Sequence, residues 1–383
     1  MASLDESSLE LKELTQMVRA FAAKEMAPFA EELDKEERLA PGIFKRFGDL
    51  GILGITIPEE FGGVGLGAVA LSSVIEELSY ACPGTTLSYL AHTVLFCHNL
   101  SQNGNKKQKE KFLSPAISGE LIGGMGMTEP GTGSDALNMK TTAHLSGDYY
   151  VLNGTKMFIT NGPIGDVFLV YARTGEKKHE LSTFLVESKF PGFSVGKKLS
   201  KMGMRASPTA EIILENCQVP VENLVGEEGG STKHMLQNLD IERVALSAIS
   251  LGIARACLDY SLKYAQERQQ FGKNILDFQA ISHKISDMYI KYRAARALMY
   301  EAAQVVDENL RANQLAAASK IFSSEMATQA ALDAIQVLGG YGYIREFPVE
   351  RYMRDAKLLE IGGGTSEILR NVIIKEFARK FSP

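Results

Sequence analysis

The most unusual setting for a reactive group is that of Glu242. If residues 231–268 form one helix, the positions three, four and seven away from Glu242 are Met235, Leu239, Leu246, Ile249 and Ile253. A carboxylate centred in such an apolar stripe loses water, and desolvation raises its pKa towards neutrality. That suits a general base. The alternative is a structural ion pair between helices. Asp240 and Arg243, beside it, are expected to point elsewhere on the helix.

Four further stretches could serve a ligand. Residues 127–135, MTEPGTGSD, alternate glycines with hydroxyls, so N–H and O–H groups could approach a phosphate or a heteroaromatic edge; an ordinary polar turn reads the same way. Phe158 and Thr160, two apart on a strand, share a sheet face and could flank a planar ring, or simply pack in a core. Residues 336–343, QVLGGYGY, end a long helical pattern, where glycine commonly caps. In residues 361–367, IGGGTSE, three glycines free the backbone and Thr365 or Ser366 can cap the next helix. The N–H groups of such a helix start attract an anion or a developing oxyanion. Residues 63–68, GVGLGA, fit a dinucleotide-binding pattern but follow no clear strand, so they read as a surface turn.

The elements that must hold these groups come in the order helical, β, helical. Helical spacing of Leu11, Leu14, Val18 and Phe21 is followed by Pro28, which implies a break, and then by helical runs near 69–80, 85–101 and 105–118. Short β-prone runs follow at 149–159, 167–172, 182–187 and 210–219, with Asn153-Gly154 predicting a hairpin turn. Such strands suggest a small barrel or sandwich. Long helical patterns return over 231–268, 278–309 and 312–338, with a last helix near Thr365. The expected class is α+β, with units at 1–120, 121–232 and 233–383.

Composition narrows the function. At 383 residues, 45% hydrophobic and 23% charged, the chain can bury a large core and is not disordered. A net charge of −5 argues against nucleic acid as partner. Cys82, Cys97, Cys217 and Cys257 form no CxxC pair, which excludes a zinc ribbon or disulfide scaffold and predicts no metal. No apolar run approaches the ~18 residues a membrane span needs. The acidic start MASLDESSLELKEL reads as neither a secretory signal nor a transit peptide. The expected location is cytoplasmic, or the mitochondrial matrix if a transit peptide has been removed.

Taken together these stretches resemble the acyl-CoA dehydrogenase family across nearly the whole chain. Residues 126–135 are similar to its first signature, with Asn138 where a small residue is usual; Gln336, Gly339, Gly340, Gly342, Tyr343, Glu346, Arg351 and Asp355 are similar to its second. IPEEFGG (57–63), NGTKMFITNG (153–162), AQERQQFGK (265–273) and RDAK (354–357) resemble further landmarks. The resemblance implies an N-terminal helical domain, a middle β-barrel and a C-terminal four-helix bundle, assembled as a homotetramer that binds FAD. It places Met127, Thr128, Gly133, Ser134, Phe158 and Thr160 at the flavin, with Phe158 where the family often has tryptophan. Arg268, Phe271 and Gln279 would grip a partner subunit's FAD, and Gln336, Gly339, Gly340, Thr365 and Glu367 would add contacts.

One departure is informative. The family usually carries its catalytic glutamate in Tyr-Glu-Gly-Thr, whereas this chain has Gly362-Gly363-Gly364-Thr365. The isovaleryl-CoA subgroup is similar here, and takes its base from a Glu-Arg pair on the long bundle helix. Glu242-Arg243 is that pair, so Glu242 is the expected base and the Gly363 N–H an expected donor to the enolate oxygen. Glu360, beside the turn, is the rival base. Ser134, Asp240, Arg243, Gly362, Gly363 and Leu90 are the expected substrate contacts. Leu90 stands where a smaller residue is usual, which bears on the acyl chain accepted. The glycines are expected to leave room for a branched chain, and the lack of an arginine near Leu87 disfavours diacids. The implied reaction is α,β-dehydrogenation of a short or branched acyl-CoA, with electrons passed to electron-transferring flavoprotein. Straight-chain or cyclic substrates, an oxidase or monooxygenase on the same fold, and a non-catalytic acyl-CoA-binding scaffold remain as alternatives.

Overall fold

The computed structural model describes residues 8–177 and 180–379. The first seven residues, used above to judge targeting, lie outside it. Helix α1 (Leu9–Glu25) starts where the Ser8 hydroxyl accepts the Leu11 N–H at 3.2 Å, and it buries Leu11, Val18 and Ala22. Pro28 sits in the break before α2 (Ala30–Glu36) and α3 (Ile43–Asp49). Helices α4 (Ala68–Ala81) and α5 (Pro83–Leu90) follow, then a π-helical stretch, Ala91–His98, α6 (Asn99–Asn103) and α7 (Lys106–Ile117). A reciprocal capping box of Asn105 and Gln108 opens α7. Residues 63–68 run into α4 from a short 3₁₀ turn rather than from a strand, as expected of a surface turn.

The middle of the chain is one eight-stranded sheet: β1 (Gly123–Gly126), β2 (Thr142–Ser146), β3 (Tyr149–Thr160), β4 (Val167–Arg173), β5 (Leu181–Glu187), β6 (Phe193–Lys198), β7 (Thr209–Pro220) and β8 (Leu224–Val225). Its strand order is β6-β7-β3-β2-β4-β5-β8, with β1 parallel to β4. The sheet folds around Leu152, Phe168, Phe184, Ile212 and Leu214. Strands β4 and β5 are buried on both faces, because Val167, Leu169 and Leu185 pack outward against Phe96, Leu100 and Phe112. That second core docks the sheet on the N-terminal helices.

The structure corrects one expectation here. Asn153-Gly154 is not a turn but lies inside β3, where the pairing with β7 shifts register. The turn falls at residues 147–148 instead. At Gly154 a β-carbon would stand 2.4 Å from Thr141 Oγ1, so glycine serves a bulge and a close backbone approach.

Helix α8 (Ser231–Glu267) runs 37 residues, roughly 55 Å at 1.5 Å per residue. A two-stranded ribbon, β9 (Gln269–Gln270) and β10 (Lys273–Asn274), leads to α9 (Gln279–Asp307), α10 (Asn313–Leu338), α11 (Gly340–Tyr343), α12 (Val349–Leu359) and α13 (Ser366–Arg379). Helices α8, α9 and α10 pack on one another, α12 and α13 close on α10, and α4 joins α8. Gly252 permits that last contact, since a β-carbon there would meet the Glu76 carbonyl of α4 at 2.6 Å. Asp307, ending α9, accepts the N–H groups of Ala68 and Val69 and so caps α4 from a distance. All four cysteines are free and buried. Among the described residues no helix is long and apolar enough to cross a membrane, and no cluster of acidic, His or Cys side chains could hold a metal ion.

Candidate active site

The apolar stripe of α8 places Glu242 in the interior, with 8% of its surface exposed, among Met235, Leu246, Ile249 and Ile253. Its Oε2 has no hydrogen-bond partner among the described residues. Burial pushes its pKa up to about 7, against opposing pulls from Arg243 and Lys320. Arg243 is itself buried but committed elsewhere. It donates to Asn313 Oδ1 of α10 at 2.7 Å and lies 3.6 Å from Asp240 Oδ1. Burial also raises the Asp240 carboxyl, to about 6.

The turn between α12 and α13 meets this carboxyl. Gly363 has φ +65° and Gly364 φ +97°, backbone that favours glycine. A β-carbon on Gly363 would lie 2.4 Å from Leu246 Cδ1 and 3.6 Å from Glu242 Oε1, whereas one on Gly362 would meet only the Leu358 carbonyl at 3.7 Å. The space expected from the glycines is therefore open at Gly362 and occupied by α8 at Gly363. The rival Glu360 accepts from Thr328 Oγ1 at 2.6 Å and Lys357 Nζ at 2.7 Å, and these bonds hold its carboxyl below the usual range against the cost of its partial burial. A carboxylate so paired is a poor base at neutral pH; Glu242 is a good one. Thr365 caps α13 by accepting the Ile368 N–H at 3.3 Å, and Glu367 is exposed in its first turn.

A second group gathers where β1 leaves the sheet. The Met157 N–H donates to the Thr128 carbonyl at 2.8 Å, which ties Met127 and Thr128 to the end of β3. The turn is anchored from within by Glu129. This carboxylate accepts from Lys156 Nζ at 2.9 Å, from Thr141 Oγ1 and N–H, and from the Lys140 N–H. Lys156 has no exposed surface and also donates to the Met127 carbonyl at 3.2 Å. Side chains added at Gly131 or Gly133 would meet nothing within 4 Å, Ser134 is exposed, and the buried Thr132 Oγ1 has no partner among the described residues. Phe158 sits at φ +61° with 64% of its surface exposed, and Thr160 is half-buried. Asn161 fixes this end of β3, donating to the carbonyls of Ser88 at 3.1 Å and Gly123 at 3.2 Å.

A third group faces outward. Arg268 stacks over Tyr341, 5.9 Å from its ring centre, and shares an open groove of about 440 Å³ with Gly339 and Gly340. Neither glycine has a neighbour within 4 Å of an added β-carbon. Gln279 opens α9, Gln336 lies on the exposed side of α10, and Phe271 is 92% exposed at φ +53°. Leu90 is sealed in the helical core, 2% exposed. The burial of two lysines, Lys156 and Lys320, is not expected from the sequence: Lys156 falls within the landmark 153–162 without a role of its own, and the only signal for Lys320 is a basic residue within an otherwise core-forming stretch.

The dehydrated carboxyl against a glycine turn can act as a base, and the glycine-lined recesses and exposed Phe158 ring leave room for a planar cofactor. Three family domains match in sequence: acyl-CoA dehydrogenase N-terminal domain over residues 8–120, middle domain over 124–217 and C-terminal domain over 230–378. Mitochondrial isovaleryl-CoA dehydrogenase of Pongo abelii is 44% identical over 380 residues, covering 98% of this chain and 90% of that one. Butyryl-CoA dehydrogenase from Megasphaera elsdenii has the same fold, with a TM-score of 0.95 at 36% identity, covering 98% of this chain and all (100%) of that one. A chain solved in work on the electron transferring flavoprotein of Acidaminococcus fermentans gives a TM-score of 0.96 at 40% identity, with the same coverage of 98% and 100%. The chain belongs to the acyl-CoA dehydrogenase family. It is a flavin-dependent enzyme that dehydrogenates acyl-CoA.

Proposed function

We propose that the protein uses FAD to convert a short, branched acyl-CoA of the isovaleryl type to its trans-2-enoyl thioester, with Glu242 as the base. The observation that carries this reading is the Glu242 carboxyl, buried, unpaired at Oε2 and beside Gly363. Glu242 takes the α-proton. That proton is weakly acidic, so the enolate oxygen formed as it leaves needs donors, and the Gly363 N–H is one. A preorganised donor of this kind contributes about 10²–10³ in rate, and a placed base about 10²–10⁴.

FAD fits the residues present. Met127, Thr128, Gly133, Ser134, Phe158 and Thr160 would hold the flavin end, with open space at Gly131 and Gly133 and the exposed Phe158 ring to receive it. Arg268, Phe271, Gln279, Gln336, Gly339 and Gly340, all exposed, would grip the FAD of a neighbouring subunit in a homotetramer. Thr365 and Glu367 would add contacts at the start of α13. When bound, the flavin supplies the acceptor for the electron pair that leaves with the β-hydrogen. Electron-transferring flavoprotein is the onward acceptor in this reading, which is supported by likeness to a chain solved in work on that flavoprotein from Acidaminococcus fermentans.

The open side of Gly362 supports a branched acyl group. Asp240, Arg243 and Ser134 are the further substrate contacts proposed, of which Ser134 is exposed and Arg243 buried. The test is Glu242→Gln, which should keep its flavin and lose about two orders of magnitude or more in flavin bleaching by isovaleryl-CoA. Bleaching at the wild-type rate would remove Glu242 from the mechanism.

A further inference from the structure

Lys320 lies in the middle of α10, in a run of alanines and serines, with no exposed surface. A buried ammonium is costly unless something nearby compensates it. Two partners do so. Its Nζ donates to the Gly364 carbonyl at 2.8 Å, which attaches α10 to the turn carrying Gly363. It also shares its low-dielectric surroundings with Glu242, the acidic group that acts on it most strongly. The other charges facing it are Arg243 from α8, Glu360 from the end of α12 and Glu367 from α13. Glu360 is already paired with Lys357 and Thr328, Glu367 is exposed, and Arg243 is turned to Asp240 and Asn313. Lys320 Nζ and the Glu242 carboxyl therefore flank the triple-glycine turn, one at the Gly364 carbonyl and the other beside Gly363, and Lys320 adds to the stronger pull of Arg243 on that carboxyl.

We propose that Lys320 is a positioning residue for proton abstraction: it pins the triple-glycine turn through the Gly364 carbonyl and, together with Arg243, supplies interior positive charge that favours the ionised form of Glu242 in a dry site. Three consecutive glycines would otherwise sample many backbone states, and the Gly363 N–H would lose its aim. Without the ammonium, ionising Glu242 would place a negative charge in a poorly solvated interior with one cation, Arg243, to balance it in place of two. The inference rests on Glu242 being the base.

Three substitutions separate the two roles, read from kcat/KM for isovaleryl-CoA against pH in flavin-loaded enzyme. Lys320→Gln keeps a donor for the Gly364 carbonyl and removes the charge. It should move the ascending limb about one pH unit upward, roughly a tenfold loss at pH values below the limb with little loss well above it. Lys320→Met removes both, and should show the same displacement with a lower plateau. Lys320→Arg keeps the charge with altered donor geometry, and should lower the plateau while leaving the limb in place.

A limb that stays at the wild-type position in folded Gln and Met variants overturns the role. If those two do not fold, a limb that moves in Lys320→Arg overturns it. Glu242→Gln in parallel separates the two readings: if it is inert while the Lys320 variants leave the limb unmoved, only the Lys320 role fails. If Glu242→Gln reacts at the wild-type rate, the base assignment fails and this inference with it.

Discussion

A β-carbon on Gly363 would stand 3.6 Å from Oε1 of Glu242. The turn and the long helix therefore address one point in space from two parts of the chain. With no side chain at 363, the carboxyl of α8 and the side chain of Leu246 fill the ground that one would need, while the Gly363 N–H survives as a donor. Placing the proposed base on the helix rather than the turn costs the site no backbone group.

This shared ground makes transposition of the base difficult. Gly363→Glu requires a non-glycine residue at φ +65° and a β-carbon 2.4 Å from Leu246 Cδ1. Strain and overpacking each cost about 1–3 kcal/mol. The single variant should lose several degrees of Tm, and Glu242→Gly/Gly363→Glu should stay slow in flavin bleaching. Adding Leu246→Ala should recover part of the bleaching rate, because it clears the clash. Full activity in the double variant with Leu246 intact would contradict the packing described here.

As the proposed base, Glu242 must lose its proton to act, so kcat/KM should climb with pH and level off above about 7, where burial has placed its pKa. Glu242→Gln should abolish that limb. Stability runs the other way. The folded protein keeps a proton that the unfolded chain releases near 4.5, so this group's stabilisation is full below about 4.5 and is lost as pH rises to about 7. Parallel denaturation curves for wild type and Glu242→Gln across that window would expose the difference.

Glu242 is legible in the sequence because a single carboxylate interrupts a long apolar stripe, and helical period is the strongest local signal available. The three long C-terminal helices are legible for the same reason. Lys320 and Lys156 are not. Lysine normally keeps its charge in water, and only the tertiary partners, the Gly364 carbonyl and Glu129, make burial tolerable. Asn153-Gly154 misleads because the dipeptide that favours a hairpin also suits a bulge, and the choice is made by Thr141 pressing on Gly154. The double burial of β4 is hinted at by its unbroken apolar run, VFLVYA, but which helices dock behind β4 and β5 is not written in any local pattern.

The Glu129–Lys156 pair should decide whether the turn over residues 127–135 holds its shape. Lys156→Met leaves Glu129 in the interior without its cation, a change that costs about 3–5 kcal/mol for a buried pair. The expected result is a lower Tm together with loss of bound flavin, because Met127 and Thr128 are tied to the same network. Pairing it with Glu129→Gln should return part of the Tm, since two neutral groups suffer less from desolvation than one unpaired charge. Flavin content should recover less than Tm, as the donor to the Met127 carbonyl is still missing.

Phe271 tests the shared cofactor site from the outside. Its side chain is 92% exposed and its recorded ring contact is edge-on with Phe278, at 6.0 Å between centres. Such a residue contributes little to the stability of its own chain, and its φ of +53° is the kind of strained backbone that clusters at ligand clamps. In the proposed tetramer it is covered by a neighbouring subunit and its FAD. Phe271→Ser should therefore leave the circular dichroism spectrum of the subunit unchanged, weaken FAD retention on dilution and shift the assembly towards smaller species in sedimentation. A variant with unaltered assembly and unaltered FAD affinity would mean that this face is not where subunits share the cofactor, and the grip assigned to Arg268 and Gln279 would fall with it.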